Sequence, residues 1–424
     1  MLWLLYQIAL ALALLLAAPL LLLRRRGHYL STIGPRLGRG LPPRDSSGPR
    51  LWLHAVSVGE VSVAASLLDS LSTHSPILVS TITPTGLEHA RDLLGSSAHV
   101  AYLPFDLSFP IRRFMETFSP SALILVEGDY WPLLMQRAKR SGLPIVVVNG
   151  RISDRNFRRL KKLRRLLRPL LEPVDCFAMQ AEQDRDRLLE LGVPRSKIVV
   201  TGNLKFDGAT PRRRPELEAL IRETAAGRKI LIAGSTMTAE EEIVVDAFEQ
   251  LGDSDPALLI LAPRHPERWD DVALLLEARG LRYRRRSQLA QTPATPGEAP
   301  AILLLDSLGE LAALYPIATA AFVGGTLVPT GGHNAIEPAR CSVPVAVGPS
   351  MHNFPDLARL FDEARGWQRV ADADSLADCF RLWLEQPEQA RRQGNRGAEL
   401  VAASRGATQR TREVLSRFLP ELGR

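Results

Sequence analysis

At 424 residues, 46% hydrophobic and 23% charged, the chain is too long for one ordinary core and has the composition of a globular protein of two domains, with no long low-complexity tract. Cys176, Cys341 and Cys379 lie far apart, which excludes a disulfide framework and zinc-type spacing. A formal net charge of +7 points to an anionic partner without naming it.

Residues 1–23 are almost wholly apolar, with Gln7 the main exception, and Arg24-Arg25-Arg26 follow at once. About 20 such residues span a bilayer as a helix. Positive charge after the run, not before it, argues for an anchor over a cleaved signal peptide and puts the C-terminal side in the cytoplasm. Pro19 interrupts the second half, so a shallow membrane-embedded segment fits the pattern as well.

From residue 51, strand-like and helix-like patterns alternate, which predicts α/β layering with parallel sheets. Strands of a first unit are expected at Leu51–Val56, Ile77–Ile82, Val100–Leu103, Ala122–Val126, Ile145–Val148, Cys176–Met179 and Ile198–Val200. The first runs into Ser57-Val-Gly-Glu60. A carboxylate there, past a strand end and opening a helix, is placed to take a proton from a hydroxyl; the helix dipole alone also favours it. After the fourth strand stand Glu127-Gly-Asp129-Tyr-Trp131-Pro132. Two acids beside two aromatics suit a sugar or hydroxyl site, and equally a helix cap before Pro132.

Further on, Arg155, Arg158, Arg159, Lys161, Lys162, Arg164, Arg165 and Arg168 interleave with Phe157, Leu160, Leu163, Leu167 and Leu170 at helical spacing. This is an amphipathic helix with a densely basic face. A solvated face accounts for it; beside a bilayer anchor, anionic headgroups or a phosphorylated lipid do so too. Nucleic acid is not expected, because no aromatic platform or nucleic-acid motif accompanies the charge. Gly202-Asn-Leu-Lys-Phe-Asp207 closes the unit, with Lys205 a candidate cation for charge on a leaving phosphate.

A second unit begins after the polar stretch Asp207–Pro215. Its strands are expected at Ile230–Ala233, Leu258–Leu261, Ile302–Leu305, Ala320–Val323 and Val343–Val347, with Gln288–Pro300 a surface loop and helices from Asp372 to the end. Gly234-Ser235-Thr236 ends the first of these, and Glu240-Glu241-Glu242 opens the helix after it. Ala262-Pro263-Arg264-His265-Pro266 supplies a strand-end Arg, and His265 lacks a partner at metal-ligand spacing. The stretch Gly324–Ala339, GGTLVPTGGHNAIEPA, is the most informative. A buried strand, two Gly pairs and a helix opening at Asn334 together make an expected seat for an anion, and Glu337 on the first turn suits a sugar's hydroxyl pair. Asn334-x-x-Glu337 also reads as a capping box. Two Rossmann-like units joined near 207–215 would face each other across a cleft.

No GxGxxG, GxxxxGK, GxSxG or HExxH motif is present, which sets aside oxidoreductases, nucleotide triphosphatases, serine hydrolases and zinc proteases. A nucleotide-sugar transferase remains. Taken in order, HAVSVGE (54–60), TPTG (83–86), EGDYWP (127–132), GNLKFD (202–207), APRHPER (262–268) and GGTLVPTGGHN (324–334) resemble the 3-deoxy-D-manno-octulosonic acid (Kdo) transferases of lipopolysaccharide synthesis.

The resemblance implies a GT-B fold: an anchor over 1–23, an acceptor domain over 24–208 and a CMP-sugar domain over 216–424. It implies inverting transfer of Kdo from CMP-Kdo to a lipid A precursor at the cytoplasmic face of the inner membrane, on an anionic membrane surface. Neither a metal nor a cofactor beyond the donor is implied. Carried over, Glu60 matches the family's general base, and Glu127 and Lys205 match residues that stabilise the transition state. Pro263 and Arg264, then Leu308, Gly309 and Glu310, then Asn334, Ala335, Ile336 and Glu337, match CMP-binding segments, with Glu337 on the ribose. Two positions depart. Many members have Glu-Thr-Glu at Glu127-Gly128-Asp129, and many have His at Met237. Another membrane-associated GT-B enzyme using a UDP-sugar, or a catalytically silent membrane-tethered binding protein, is the alternative.

Overall fold

The apolar runs of the sequence become the inner strands of two all-parallel sheets, because a strand covered on both faces must be apolar throughout. The computed structural model describes residues 6–14, 16, 31–43, 48–71, 75–162, 169–208, 213–252, 257–289 and 299–419. In the first unit the strands are β1 (Arg50–His54), β2 (Ile77–Thr81), β3 (Ala98–Tyr102), β4 (Pro120–Val126), β5 (Ile145–Gly150), β6 (Cys176–Met179) and β7 (Ile198–Val200). Their order is β3-β2-β1-β4-β5-β6-β7. Strand order therefore reverses between β1 and β4, which pair in register from Leu51 opposite Ala122 to His54 opposite Leu125. In such sheets ligands sit past the carboxyl ends of the strands at this reversal.

The second unit carries β8 (Lys229–Thr236), β9 (Ala257–Pro263), β10 (Tyr283–Arg285), β11 (Ile302–Leu304), β12 (Ala320–Val323), β13 (Val345–Val347) and β14 (Gln368–Arg369), in the order β10-β11-β9-β8-β12-β13-β14. Here the reversal lies between β8 and β12. The two strands without an apolar run, β10 and β14, are the edges. Each sheet is covered on both faces, with Leu53, Val61, Ile124 and Val148 among the core residues of one side of the first and Trp52, Phe114, Leu125 and Phe177 of the other.

The division of the chain differs from the expected boundary at its end. Residues 213–403 form the second unit, but from Ser404 the chain returns to the first. Asp207 accepts from Gly406 N (2.8 Å) and Thr408 N (2.5 Å) and so caps the helix Ala407–Ser416. Gly202, in the left-handed region at φ +91°, lets Ala407 and Arg410 come close; a Cβ there would lie 2.9 Å from the Arg410 guanidinium.

Of the expected anchor over 1–23, residues 6–14 and 16 are helical and the rest lies outside the described residues. Among the described residues no helix is long and apolar enough to cross a membrane. Tyr6 donates to Asp106 Oδ2 (2.8 Å), and Gln7 accepts from Ser108 N, while Ile8, Leu12 and Leu16, four apart, are exposed. The basic helix is present over Asp154–Lys162; Leu163, Arg164, Arg165, Leu167 and Arg168 lie outside the described residues.

Candidate active site

At the reversal of the first sheet, β1 ends on His54. This ring is buried, with Trp131 Nε1 donating to its Nε2 (3.0 Å) and its Nδ1 3.1 Å from Ser80 O. That pattern fixes the proton on Nδ1, and burial pushes the pKa down to about 4, so the imidazole is a neutral strut. Ser57 then caps the helix Val58–Ser70 by accepting from Glu60 N (3.3 Å). Glu60 folds back, accepting from Val56 N (2.7 Å) and Ser57 Oγ (3.0 Å). Glu60 thus sits in the first turn of its helix, and its carboxylate lies near those of Glu127 and Asp129. Burial pushes its pKa up to about 7, opposed by the Val56 N–H and reinforced by the charges of Glu127 and Asp129. A carboxylate near neutrality is suited to proton transfer.

Glu127 leaves β4 in the left-handed region (φ 61°) and pairs with Lys205 (2.9 Å). The alternative of a helix cap before Pro132 is answered by another residue. Asp106 accepts from Leu133 N (3.0 Å) and Leu134 N (2.8 Å), so it caps the helix Pro132–Arg140 in place of Glu127 or Asp129. Sequence reasoning missed Asn149. It is fully buried at the end of β5, itself left-handed (φ 53°), donating to Glu127 Oε1 (3.4 Å) and accepting from Leu204 N (2.9 Å). One side chain thus ties the Glu127 carboxylate to the turn that carries Lys205. An amide closing a run of three valines was the signal available.

In the second unit the expected backbone seat for an anion is already filled. Glu240, fully buried, accepts from Gly325 N (2.5 Å), Thr326 N (2.8 Å), Leu327 N (2.7 Å) and Met237 N (3.0 Å). The second Gly pair is engaged too: Gly331 N donates to Ser350 Oγ (3.1 Å) and Gly332 N to Gly325 O (2.7 Å). The Thr236 hydroxyl donates to Glu241 (3.3 Å), which pairs with Arg268. The protein has thus supplied its own anion to the N–H groups of Gly325, Thr326 and Leu327, which leaves a ligand's charge to other groups, side chains among them.

Those side chains are at hand. Arg264 follows Pro263 at the end of β9, its N–H bound to Thr236 O (2.9 Å). Its charge reaches both His333 and Glu337. Asn334 accepts from Ile336 N (3.1 Å) and donates to Glu337 Oε1 (3.1 Å), so the pair is joined side chain to side chain and is not the reciprocal capping box. The helix it opens, Ile336–Arg340, is short, and Ala335 and Ile336 are buried beneath it. Burial raises the Glu337 pKa, opposed by Asn334, Arg340 and Arg264. Leu308 is exposed and Gly309 left-handed (φ 73°), but the Glu310 carboxylate is held by Arg286 (3.0 Å), Arg214 (3.5 Å) and Ser307 (2.6 Å). That segment offers a ligand its backbone more than its acid.

Residues 31–208 match the family described as 3-deoxy-D-manno-octulosonic-acid transferase (kdotransferase). The chain is 36% identical over 378 residues to the 3-deoxy-D-manno-octulosonic acid transferase of Haemophilus influenzae, covering 87% of each chain. It is 34% identical over 414 residues to that of Bordetella pertussis, covering 93% of this chain and 94% of the relative. Its fold is similar to that of a glycosyltransferase from Rickettsia africae, with a TM-score of 0.54 at 13% identity over 88% of this chain and 98% of that one. At that identity the likeness concerns the fold alone: two parallel-sheet α/β domains of the GT-B type.

Proposed function

Because the chain belongs to the 3-deoxy-D-manno-octulosonic acid (Kdo) transferase family of glycosyltransferases, we propose that it moves Kdo from CMP-Kdo to a sugar hydroxyl of a lipid A precursor, with inversion and with Glu60 as base. In a single displacement the acceptor O–H gives its proton to Glu60 and its oxygen bonds the anomeric carbon of Kdo. The bond from that carbon to the phosphate breaks, and CMP leaves with the electron pair. Positive charge builds on the sugar as the bond breaks, so the carboxylates Glu60 and Glu127 favour the transition state, and Lys205 holds Glu127 in place. In the second unit Arg264 meets the phosphate, Glu337 the ribose hydroxyls, and Pro263, Leu308–Glu310 and Asn334–Ile336 wall the nucleotide. No metal or further cofactor is assigned a role.

The observation that carries this reading is a carboxylate at the strand reversal, brought close to neutrality by burial and two acidic neighbours. Glu60→Gln removes the proton acceptor at nearly unchanged shape. Transfer from CMP-Kdo should fall by about 10²- to 10⁴-fold, with CMP affinity, read by calorimetry, unchanged. Near-normal turnover in the variant would refute the assigned base.

We further propose that the enzyme works on the anionic cytoplasmic face of the inner membrane. The exposed row Ile8, Leu12 and Leu16 and the exposed cations Arg158, Arg159 and Lys162 support it. Reversing those three charges to Glu should weaken flotation with phosphatidylglycerol vesicles. Unaltered flotation would return the basic face to plain solvation.

A further inference from the structure

With the N–H groups of Gly325–Leu327, Gly331 and Gly332 engaged by Glu240, Ser350 and Gly325, one buried ring nitrogen at the second strand reversal has nothing to bind. Among the described residues the His333 Nε2 has no hydrogen-bond partner and is out of contact with solvent. The loop that holds it is clamped: Gly332 N and Thr330 Oγ1 both donate to Gly325 O (2.7 and 2.9 Å), and Asn353 N donates to Gly331 O (3.0 Å). The ring lies against Gly325, where a Cβ would come within 2.8 Å of Cδ2 and 3.0 Å of Nε2. Gly325 (φ +70°) is therefore required twice, for its backbone and for this contact.

The charged groups that face the ring are Arg264 and His265, from the segment after β9. The carboxylates of the neighbouring elements are engaged: Glu240 by four backbone N–H groups, Glu337 by Asn334. Burial, reinforced by Arg264 and His265, pushes the His333 pKa down to about 4. The free protein thus holds a neutral imidazole beside a guanidinium, with an unpartnered ring nitrogen.

We propose that His333 takes up a proton from solvent when the nucleotide's phosphate arrives and donates it, from Nε2, as a hydrogen bond to a phosphate oxygen beside Arg264. The inference rests on the reading of this unit as the CMP-sugar domain. Charge explains the timing. A phosphate offsets the charge of Arg264, which together with burial keeps the ring unprotonated, and offers the acceptor that the ring lacks. The phosphodiester of CMP-Kdo carries one negative charge, whereas departing CMP gains a second. An imidazolium therefore binds the leaving group better than the donor, and lowers the barrier by the share of that difference developed in the transition state.

The test is calorimetric titration of CMP into the full-length protein between pH 6 and 8.5, in buffers of different ionisation enthalpy, with wild type and His333→Gln. Gln keeps a donor but cannot ionise, and proton exchange by CMP itself is common to both proteins. Wild type should take up close to one proton more than His333→Gln. Its affinity should also fall more steeply with rising pH, the difference in slope reaching up to about tenfold per pH unit. In the unmodified protein, an NMR titration of the His333 ring should show its pKa rising on CMP binding. Equal proton uptake in both proteins, or a ring that stays neutral with CMP bound, overturns the proposal. Wild type that binds no CMP overturns the donor assignment itself, and this inference with it.

Discussion

The Glu60 carboxylate accepts from Val56 N and sits near Glu127 and Asp129, and these neighbours together set its pH behaviour. The base proposed at Glu60 would work ionised, so kcat/KM should rise about tenfold per pH unit towards 7 and level off above it, and Glu60→Gln should abolish that limb. The sign for stability runs the other way. Its folded pKa, about 7, lies above the ordinary 4.5, so its contribution is fully present below 4.5 and is lost as pH rises through 7. Glu60→Gln should therefore leave Tm unchanged at pH 4 and raise it at pH 8, the signature of a residue kept for function at a cost in stability. A lowered Tm at pH 8 would mean that the cap outweighs the burden of charge. Asn149 shows what a linear reading loses at this scale. The two partners of its side chain, Glu127 and Leu204, are 22 and 55 residues away in sequence, so no local pattern reveals that it aligns them.

At the scale of elements, the buried strands were legible because they are continuous apolar runs, and β10 and β14 were not because edge strands lack that signature. The acids and the Lys of the first unit were legible as strand-end residues, since parallel sheets gather their ligands there. The loop Gly324–Asn334 is the tight turn that its glycines predict, but its part Gly325–Leu327 is already occupied by an acid of the protein. Three of its N–H groups converge, joined by that of Met237, and the anion they hold is Glu240, 85 residues from Gly325, on the helix Glu240–Glu249. Glu240→Ala would leave those donors buried and unpaired, each at about 1–3 kcal/mol. Urea unfolding should show the second unit destabilised by at least ~3 kcal/mol, with CMP affinity reduced as Arg264 and His333 lose their frame. Wild-type stability in that variant would mean that water replaces the carboxylate at no loss.

For the whole molecule, the consequential feature is the return of residues 404–419 to the first unit. The stretch that matches the family, 31–208, ends before this segment, and nothing in an amphipathic C-terminal helix says which sheet it covers. The structure gives the answer through contacts. Ala407, Val414, Leu415 and Leu419 are core residues together with Leu51, Val61 and Leu204, and Asp207 caps the helix that carries the first three of them. Burial of the three larger side chains is worth about 1.5–3 kcal/mol each, a sum comparable with the ~5–15 kcal/mol that holds a whole domain together. Residues 1–208 expressed alone should accordingly fail to unfold cooperatively in urea. The same fragment joined to 404–424 by a few Gly and Ser residues should regain a sharp transition, because Gly406 N already lies 2.8 Å from Asp207 and the splice need span little. A fragment 1–208 that unfolds with the same midpoint as the spliced form would show that the helix is an accessory. A restored transition would make the first unit a domain closed by a segment that follows the second, so that its fold is complete only once residues 404–419 have been made.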